Sequence, residues 1–332
     1  MEGEIKKLGV ALVGLGNYSE GQLGPALKET RHCYLAGIVT GSDKKKEKWK
    51  NKYNLPDENI YGYNNFEAIK DNRDIDIVYI VLPNAMHAEY TIRAAGAGKH
   101  VICEKPMAIS VEECDSMIAA CKNAGVMLSI GYRLHFDPFN QEMMRLANEK
   151  VYGEVKMISA SHGLSSAEGW RLNKELSGGG PLVDVGIYCV NAGRYITNME
   201  PVAVRAVEGQ IKDKRKFNTI EESLTWTMEY ENGIISRCSA SYSEYGNHLH
   251  VDAENGWFEI APAFSYSGLK GKTSDGKLDI IKNNHQAAQM DDFALSIIEK
   301  RPTTVPGEMG KQDVKILHAI YRSMKSGNRV EI

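Results

Sequence analysis

No apolar run in this sequence approaches the length of a membrane span, and no apolar segment opens it, since Met1 to Leu8 is charged. A spanning helix needs about 20 consecutive apolar residues, so a soluble chain without an export signal is expected. There is no C-x-x-C pair: the six cysteines (Cys33, Cys103, Cys114, Cys121, Cys189, Cys238) are dispersed. That excludes a disulfide framework and a zinc site and suits a reducing cytoplasm. No basic block stands out beyond Lys44-Lys45-Lys46, and the net charge is -3, which excludes nucleic acid and acidic membranes as partners. His248 and His250 share a strand face without a clustered third ligand, so no metal is expected. Internal repeats and low-complexity linkers are absent as well.

At 332 residues the chain is long for one core, and two domains are expected. Gly9-Val10-Ala11-Leu12-Val13 is a continuous apolar run, as in a parallel strand covered on both faces. It delivers Gly14-Leu15-Gly16-Asn17-Tyr18-Ser19, ahead of a helix through Leu23, Ala26 and Leu27 whose extent Pro25 limits. In a strand-turn-helix context Gly14 makes the tight turn. Gly16, followed by Asn17 and Tyr18, lets the backbone approach a pyrophosphate at the helix N-terminus. The third fingerprint position, normally Gly or Ala, is Ser19. A second strand, Tyr34 to Val39, ends in Thr40-Gly41-Ser42-Asp43-Lys44-Lys45-Lys46. NAD enzymes place an acid at this strand tip to hold the ribose, and NADP enzymes place small polar and cationic groups around the 2′-phosphate. Thr40, Gly41, Ser42 and Lys45 point to NADP. Two other readings stay open: a solvated helix start capped by Asp43, and Asp43 as a displaced ribose ligand, which admits NAD.

Ile77 to Leu82 is another buried strand, ending in Pro83-Asn84 with His87 close behind. With Leu82, Pro83 and Asn84 this loop falls at a carboxyl edge. A single histidine there is more often a structural hydrogen-bonder than a catalyst, so His87 is assigned only to the cofactor pocket. The strand Val101-Ile102-Cys103 ends in Glu104-Lys105-Pro106. Proline cannot donate to a sheet ladder, so Glu104 and Lys105 are held where the strand stops, on the edge at which open α/β sheets bind ligands. Taken alone, the tripeptide also reads as a surface ion pair or a plain strand terminator. Ser110-Val111-Glu112-Glu113 reads as a capping box opening a helix that stops near Gly125. A strand from Val126 to Ile130 follows, ending in Gly131-Tyr132-Arg133.

From Asp137-Pro138 the texture changes. A helix starts there with Phe139, Met143, Met144 and Leu146 as inward residues. Beyond Gly153 come strands and turns: Leu224, Trp226, Met228 and Tyr230 alternate on one face, Asn232-Gly233 turns the chain, and Asn255-Gly256 marks a second hairpin. This predicts an antiparallel sheet. Two amphipathic helices finish the chain, one through Met290, Phe293, Ala294, Ile297 and Ile298, the other through Val314, Leu317, Ile320, Tyr321 and Met324. They can cover only one face of that sheet, so a homo-oligomer packed through the other is expected. After Gly178-Gly179-Gly180, Pro181 can open a helix to about Ile196. Leu182, Val185, Cys189 and Ala192 share one face of it, and Val183, Ile187 and Val190 another. The remaining stripe is Asp184, Tyr188, Asn191 and Tyr195, which faces either an interior polar network or a site. A buried carboxylate needs partners, and Lys105 is the candidate for Asp184. A tyrosine acting as general acid needs a nearby ammonium to lower its pKa from about 10, and Lys105 offers one at the cofactor edge.

With Gly14-Leu15-Gly16, Glu104-Lys105-Pro106 and Asp184-Val185-Gly186-Ile187-Tyr188 in place, the chain resembles the glucose-fructose oxidoreductase and inositol dehydrogenase family, most closely its glucose-fructose oxidoreductase branch. The likeness covers nearly the whole length. It is carried also by Ile80-Val81-Leu82-Pro83-Asn84, His87-Ala88-Glu89, Gly98-Lys99-His100-Val101, Ile130-Gly131-Tyr132-Arg133, Trp170-Arg171-Leu172 and Pro306-Gly307-Glu308. The resemblance implies an α/β protein: an N-terminal Rossmann domain with a doubly wound parallel sheet (residues 1–125), then a C-terminal α+β domain on a large, mostly antiparallel open sheet (126–332). That sheet commonly forms the oligomer interface, so a homodimer or homotetramer is implied. The implied activity is NADP-dependent, with NAD possible, and passes a hydride between nicotinamide and a sugar in pyranose form or a related polyol. By match, Lys105, Asp184 and Tyr188 form the catalytic group, with Tyr188 as general acid and base. Thr40, Gly41 and Lys45 match the cofactor-phosphate region, Glu104, Lys105 and Arg133 belong to the cofactor pocket as well, and Arg133, Trp170 and Arg171, with Asp184 and Tyr188, shape the substrate pocket. Inositol dehydrogenases carry His where this chain has Tyr188, which points to the sugar-oxidising branch. The export signal and long arm of glucose-fructose oxidoreductase have no counterpart ahead of the first strand here, which counts against export and against cofactor trapping by an arm. A cofactor-binding sensor without catalysis is the alternative; it would need only the dinucleotide half, and Lys105, Asp184 and Tyr188 argue against it.

Overall fold

The computed structural model describes residues 7–332, so residues 1–6 of the charged N-terminal stretch lie outside the described residues. The chain divides into two compact units, one made of residues 7–136 with 283–311 and the other of 137–282 with 312–332. Among the described residues no helix is long and apolar enough to cross a membrane.

The first unit is built on six strands: β1 (Leu8–Val13), β2 (Cys33–Val39), β3 (Ile60–Tyr61), β4 (Ile77–Ile80), β5 (His100–Cys103) and β6 (Leu128–Ile130). Their order is β3-β2-β1-β4-β5-β6, and the neighbours pair in parallel. This is the doubly wound order whose direction reverses between β1 and β4, so the loops after those strands open on one crevice. β1 and β4 are buried at every position, which explains why they read as unbroken apolar runs. The helix Val111–Ala124 starts at the expected Ser110 cap, which accepts from the Glu113 N–H at 3.1 Å, but the return arm of the box is displaced by one residue, Glu113 accepting from the Ile109 N–H at 3.1 Å and not from that of Ser110. It ends on Gly125 at φ 68°, a left-handed backbone that favours glycine. Because β6 pairs with β5, the parallel sheet continues past residue 125, and the first unit runs on to Phe136.

The helix His285–Glu299 also belongs to this unit, so it does not cover the antiparallel sheet as its place in the sequence suggested. Ala287, Met290, Phe293 and Ala294 are buried in one core with Val10, Leu12, Tyr79 and Ile102 of the parallel strands. Ile297 packs at the margin of that core, whereas Ile298, expected on the same stripe, is 41% exposed. An amphipathic stripe says that a helix must cover something apolar; it does not say which sheet.

The second unit carries β7 (Val155–Gly163), β8 (Ala203–Glu208), β9 (Ser223–Glu229), β10 (Ile235–Ser241), β11 (Gly246–Ala253), β12 (Gly256–Ile260), β13 (Gly271–Thr273), β14 (Gly276–Leu278) and β15 (Val330–Glu331). The order is β14-β13-β12-β11-β7-β10-β9-β8-β15, antiparallel except where β7 and β10 run in parallel. Leu224, Trp226 and Met228 point inward as their alternation requires, and Gly233 turns the β9-β10 hairpin at φ 85°. The helix Pro138–Asn148, capped by Asp137, buries Phe139, Met143 and Leu146, while Met144 is only half-buried. Val314, Leu317 and Ile320 of the helix Gly307–Ser326 are buried, and its Ser323 hydroxyl accepts from the Ala206 N–H of β8 at 2.9 Å.

Candidate active site

In the first unit the candidate residues gather at the carboxyl ends of β1, β2, β4 and β5. Gly14 has φ 91°, and a Cβ there would collide with the Val81 carbonyl, so the tight turn requires glycine. Gly16 is different. Among the described residues nothing lies within 4 Å of where its Cβ would sit, so packing does not demand glycine there, whereas a ligand approaching the backbone would. Ser19 is fully buried, and its hydroxyl donates to the Gly14 carbonyl at 2.6 Å. The departure from Gly or Ala at this position therefore pins the turn. Ser19–Leu23 winds as a π-type turn before Gly24–Ala26, and Pro25 cannot donate to the preceding turn, which accounts for the broken helix. Asn17 is exposed, and Tyr18 packs against the core beneath.

At the tip of β2, Ser42 rather than Asp43 caps the helix Asp43–Tyr53, accepting from the Lys45 N–H at 3.4 Å. Asp43 instead pairs with Lys46 at 2.9 Å on the open surface. The Lys45 ammonium donates back to the Leu15 carbonyl at 2.7 Å, so a cation from the second βα loop stands against the glycine turn of the first. Thr40 is buried, and Gly41 lies against the Tyr63 ring, where a Cβ would come within 3.3 Å.

Leu82 and Asn84 are buried and Pro83 is half-buried. Both ring nitrogens of His87 face carbonyls, Nδ1 that of Pro106 at 2.8 Å and Nε2 that of Leu82 at 2.9 Å. This fully buried imidazole ties the loop after β4 to the Glu104-Lys105-Pro106 turn after β5. Burial lowers its pKa, and the two carbonyls oppose that. The Glu104 carboxyl accepts from the Tyr79 hydroxyl at 2.7 Å and from the Lys105 N–H at 3.3 Å, and Gln289 donates to the Tyr79 oxygen at 3.2 Å. Burial pushes Glu104 up, with the positive charges of Lys105 and Arg133 opposing it. Arg133 is 2% exposed, with Nη1 at 3.0 Å from His285 Nε2. Gly131 lets this cluster close, since its Cβ would stand 2.6 Å from Glu104 Oε1.

In the second unit the segment expected as one helix from Pro181 is wound as a π-type turn over Leu182–Gly186 and an α-helix over Ile187–Thr197. Leu182, Val183, Val185, Ile187, Cys189 and Val190 are buried, and Asp184 and Tyr188 are the half-buried members, as the spacing predicts. Asn191 and Tyr195 of the same stripe are interior: Asn191 donates to Asp313 at 2.9 Å and Tyr195 to Asn140 at 2.7 Å. Asp184 Oδ2 accepts from Arg171 Nε at 2.9 Å and from the Tyr242 hydroxyl at 3.0 Å. Burial works against the Arg171 charge, but the Asp184 carboxylate more than offsets it and holds the guanidinium above its ordinary range. Burial, then the Asp184 charge, pushes the Tyr242 phenol well up, so Tyr242 stays a donor. Arg171 also lies over the Trp170 ring at 4.8 Å. Tyr188 stacks on Phe264 with centroids 5.9 Å apart and meets His162 edge-on at 5.2 Å.

Tyr242, His162 and Phe264 escaped the sequence reading. A signal existed for two of them. His162 ends the inward row Ile158, Ala160, His162, and Tyr242 ends the row Cys238, Ala240, Tyr242; a polar group at the end of an apolar row marks a change of environment. Chemically, this half offers a carboxylate already oriented by a guanidinium and a phenol, a second phenol one turn on, and aromatic walls. That combination suits a ligand with many hydroxyls and apolar ring faces.

The chain matches the family described as "Oxidoreductase family, NAD-binding Rossmann fold" over residues 8–132 and the "GFO/IDH/MocA C-terminal domain" over residues 140–260. It is 26% identical to D-xylose 1-dehydrogenase [NADP(+)] of Haloarcula marismortui, over 97% of this chain and 92% of the relative. It is 34% identical to an uncharacterized oxidoreductase of Rhizobium meliloti, over 80% of this chain and 83% of that one. Among solved structures, aldose-aldose oxidoreductase from Caulobacter crescentus complexed with glycerol is 39% identical with a TM-score of 0.96, covering 98% of this chain and 100% of that chain.

Proposed function

The chain belongs to the GFO/IDH/MocA oxidoreductase family, and on that premise we propose that it passes a hydride between NADP and a sugar in pyranose form or a related polyol. Lys105, Asp184 and Tyr188 act as the catalytic group. Tyr188 exchanges the proton of the substrate hydroxyl, Lys105 supplies the ammonium that meets negative charge developing on the substrate oxygen, and Asp184 orients the sugar. Nicotinamide accepts or returns the hydride when bound. Arg133, Trp170 and Arg171 shape the sugar's surroundings, and the glycine turn with Asn17, Tyr18, Leu82, Pro83, Asn84, His87 and Glu104 forms the cofactor's.

The observation that carries this reading is the carboxylate of Asp184 held by Arg171 and Tyr242 on the helix that presents Tyr188. Tyr188 is the half-buried phenol of that helix, whereas Tyr195 is buried. The named activities of the relatives, on xylose and on aldoses, support a sugar as substrate. A panel of aldoses and polyols, followed by absorbance of the reduced nicotinamide, is expected to yield at least one good substrate. Silence across aldopentoses, aldohexoses and cyclic polyols with either cofactor would remove the reading.

The same titrations test the cofactor. Lys45 donates to a backbone carbonyl at the glycine turn and can exchange that acceptor for a 2′-phosphate, beside the Thr40 and Ser42 hydroxyls. A charge-assisted hydrogen bond contributes about 1.5–3 kcal/mol. NADPH is therefore expected to bind roughly tenfold tighter than NADH. Equal or reversed affinities would return the ribose to Asp43.

The outer face of the nine-stranded sheet supports self-association. Arg205, Thr227, Arg237 and Ser159 stand side by side across β8, β9, β10 and β7, with Val207 63% exposed and Ile235 38% exposed on the same face. A homodimer or homotetramer through this face is the expected assembly. Light scattering that finds only monomer at micromolar concentration would rule it out.

A further inference from the structure

We infer that Glu221 is a positioning residue for the reaction: it fixes Asp184 and Tyr188 through their backbone, without touching substrate. The inference rests on the reading of Asp184 and Tyr188 given above. Glu221 is 4% exposed, and its carboxylate accepts from the Gly180 N–H at 3.1 Å, the Leu182 N–H at 3.2 Å and the Tyr321 hydroxyl at 2.9 Å. Backbone donors in the first turn of a helical segment have no partner within it. Here a buried acid meets them two residues ahead of Asp184, where an anion is also favoured by the helix dipole.

Two of the three consecutive glycines, Gly179 and Gly180, are explained by the same contact, and Gly178 by its left-handed backbone at φ 76°. A Cβ on Gly180 would lie 2.6 Å from the Glu221 carbonyl oxygen and 2.8 Å from its carboxyl carbon, and one on Gly179 would collide with the Tyr321 hydroxyl. Only glycine lets the carboxylate close on these amides. The neighbours of Glu221 reach the other two partners of the site. The Glu222 carbonyl accepts from the Tyr242 N–H at 3.0 Å, and Tyr242 in turn donates to Asp184. The Thr219 hydroxyl donates to the carbonyl of Leu172 at 3.2 Å, next to Arg171. Thr219, Glu221 and Glu222 thus meet the backbone ahead of Asp184, the backbone of Tyr242 and the backbone next to Arg171. The Glu222 carboxylate anchors this segment by accepting from the Lys212 N–H at 2.6 Å and the Asp213 N–H at 3.2 Å. Burial pushes Glu221 up, its donors oppose that, and its negative charge adds to the upward push on Tyr242.

Glu221→Gln keeps the shape but replaces one carboxylate oxygen by an amide NH₂, and because both oxygens accept from the Gly180 N–H, that NH₂ faces a backbone donor in either orientation. With a sugar found by the panel, kcat/KM is expected to fall about 10- to 100-fold, the range for a reacting group misplaced by about 1 Å. Affinity for NADPH should stay unchanged. The loss should lie in kcat, with KM for the sugar little changed, because orientation and not sugar binding is what Glu221 supplies. Tyr321→Phe keeps the ring, deletes one donor and should show a smaller loss in the same direction; it decides the matter should Glu221→Gln not fold. Glu221→Gln with wild-type kcat/KM, or with a loss carried by KM alone, overturns the inference. So does a loss shared equally by sugar turnover and NADPH affinity, which is what general loosening would give. Asp184→Asn, measured in parallel, separates the two failures. A crippled Asp184→Asn beside a normal Glu221→Gln removes only the role of Glu221, whereas a normal Asp184→Asn removes the site reading and the inference with it.

Discussion

Tyr188→Phe is expected to slow single-turnover hydride transfer by about 10²-fold or more, the loss typical when a positioned general acid or base is deleted. The substitution is informative because the ring's surroundings are aromatic. Phe264 stacks on it and His162 meets its edge, and both contacts survive the loss of the hydroxyl. Packing and fold should therefore be retained, and NADPH affinity should barely move. The measurement is a rapid-mixing experiment with NADP and a saturating substrate sugar, in wild type and variant across neutral pH. Equal rates would show that solvent or another group handles the proton, and Tyr188 would revert to a packing residue.

Lys105→Met should be as damaging, by about 10²- to 10³-fold in turnover, the range seen when a donor to developing oxyanion charge is removed. It should differ from Tyr188→Phe in one respect, a weaker hold on the cofactor. Lys105 is at the carboxyl end of β5, its N–H donates to the Glu104 carboxyl, and its charge opposes the effect of burial on that acid. Methionine keeps the stem's length and removes that charge, so Glu104 is left with a further upward push and a greater tendency to be protonated. Fluorescence titration with NADPH reads the affinity, and single-turnover transfer reads the chemistry. The double variant should lose less than the product of the two single losses, as groups acting in one unit do. Multiplicative losses would separate Lys105 from the proton transfer and leave it a cofactor residue.

Much of the molecule was legible because its signals are local. The Ser110 cap, the glycine stop at Gly125, the Asn232-Gly233 turn and the alternation of Leu224, Trp226 and Met228 each depend on a few neighbouring residues, and each stands where expected. The half-burial of Asp184 and Tyr188 was legible for the same reason: periodicity on a helix with two apolar faces leaves one stripe. Local reading failed where the backbone chose between close alternatives. Ser42 took the cap that Asp43 could have taken, and the segment opened by Pro181 began as a wider turn.

By itself, the sequence determined the glycine turn, the strand edges that carry Glu104 and Lys105 and the change of texture after Phe136. All of these follow from covalent geometry and periodicity, which act over one or two turns of chain. Only the tertiary structure decided that the helix His285–Glu299 returns to the parallel sheet, that Arg171 and Tyr242 share the Asp184 carboxylate, and that Glu221 closes on the amides of Gly180 and Leu182. These partners are separated by tens to hundreds of residues. A side chain's type says that a buried charge must be met, but which distant group meets it is set by the packing of whole faces, and no local pattern encodes that choice.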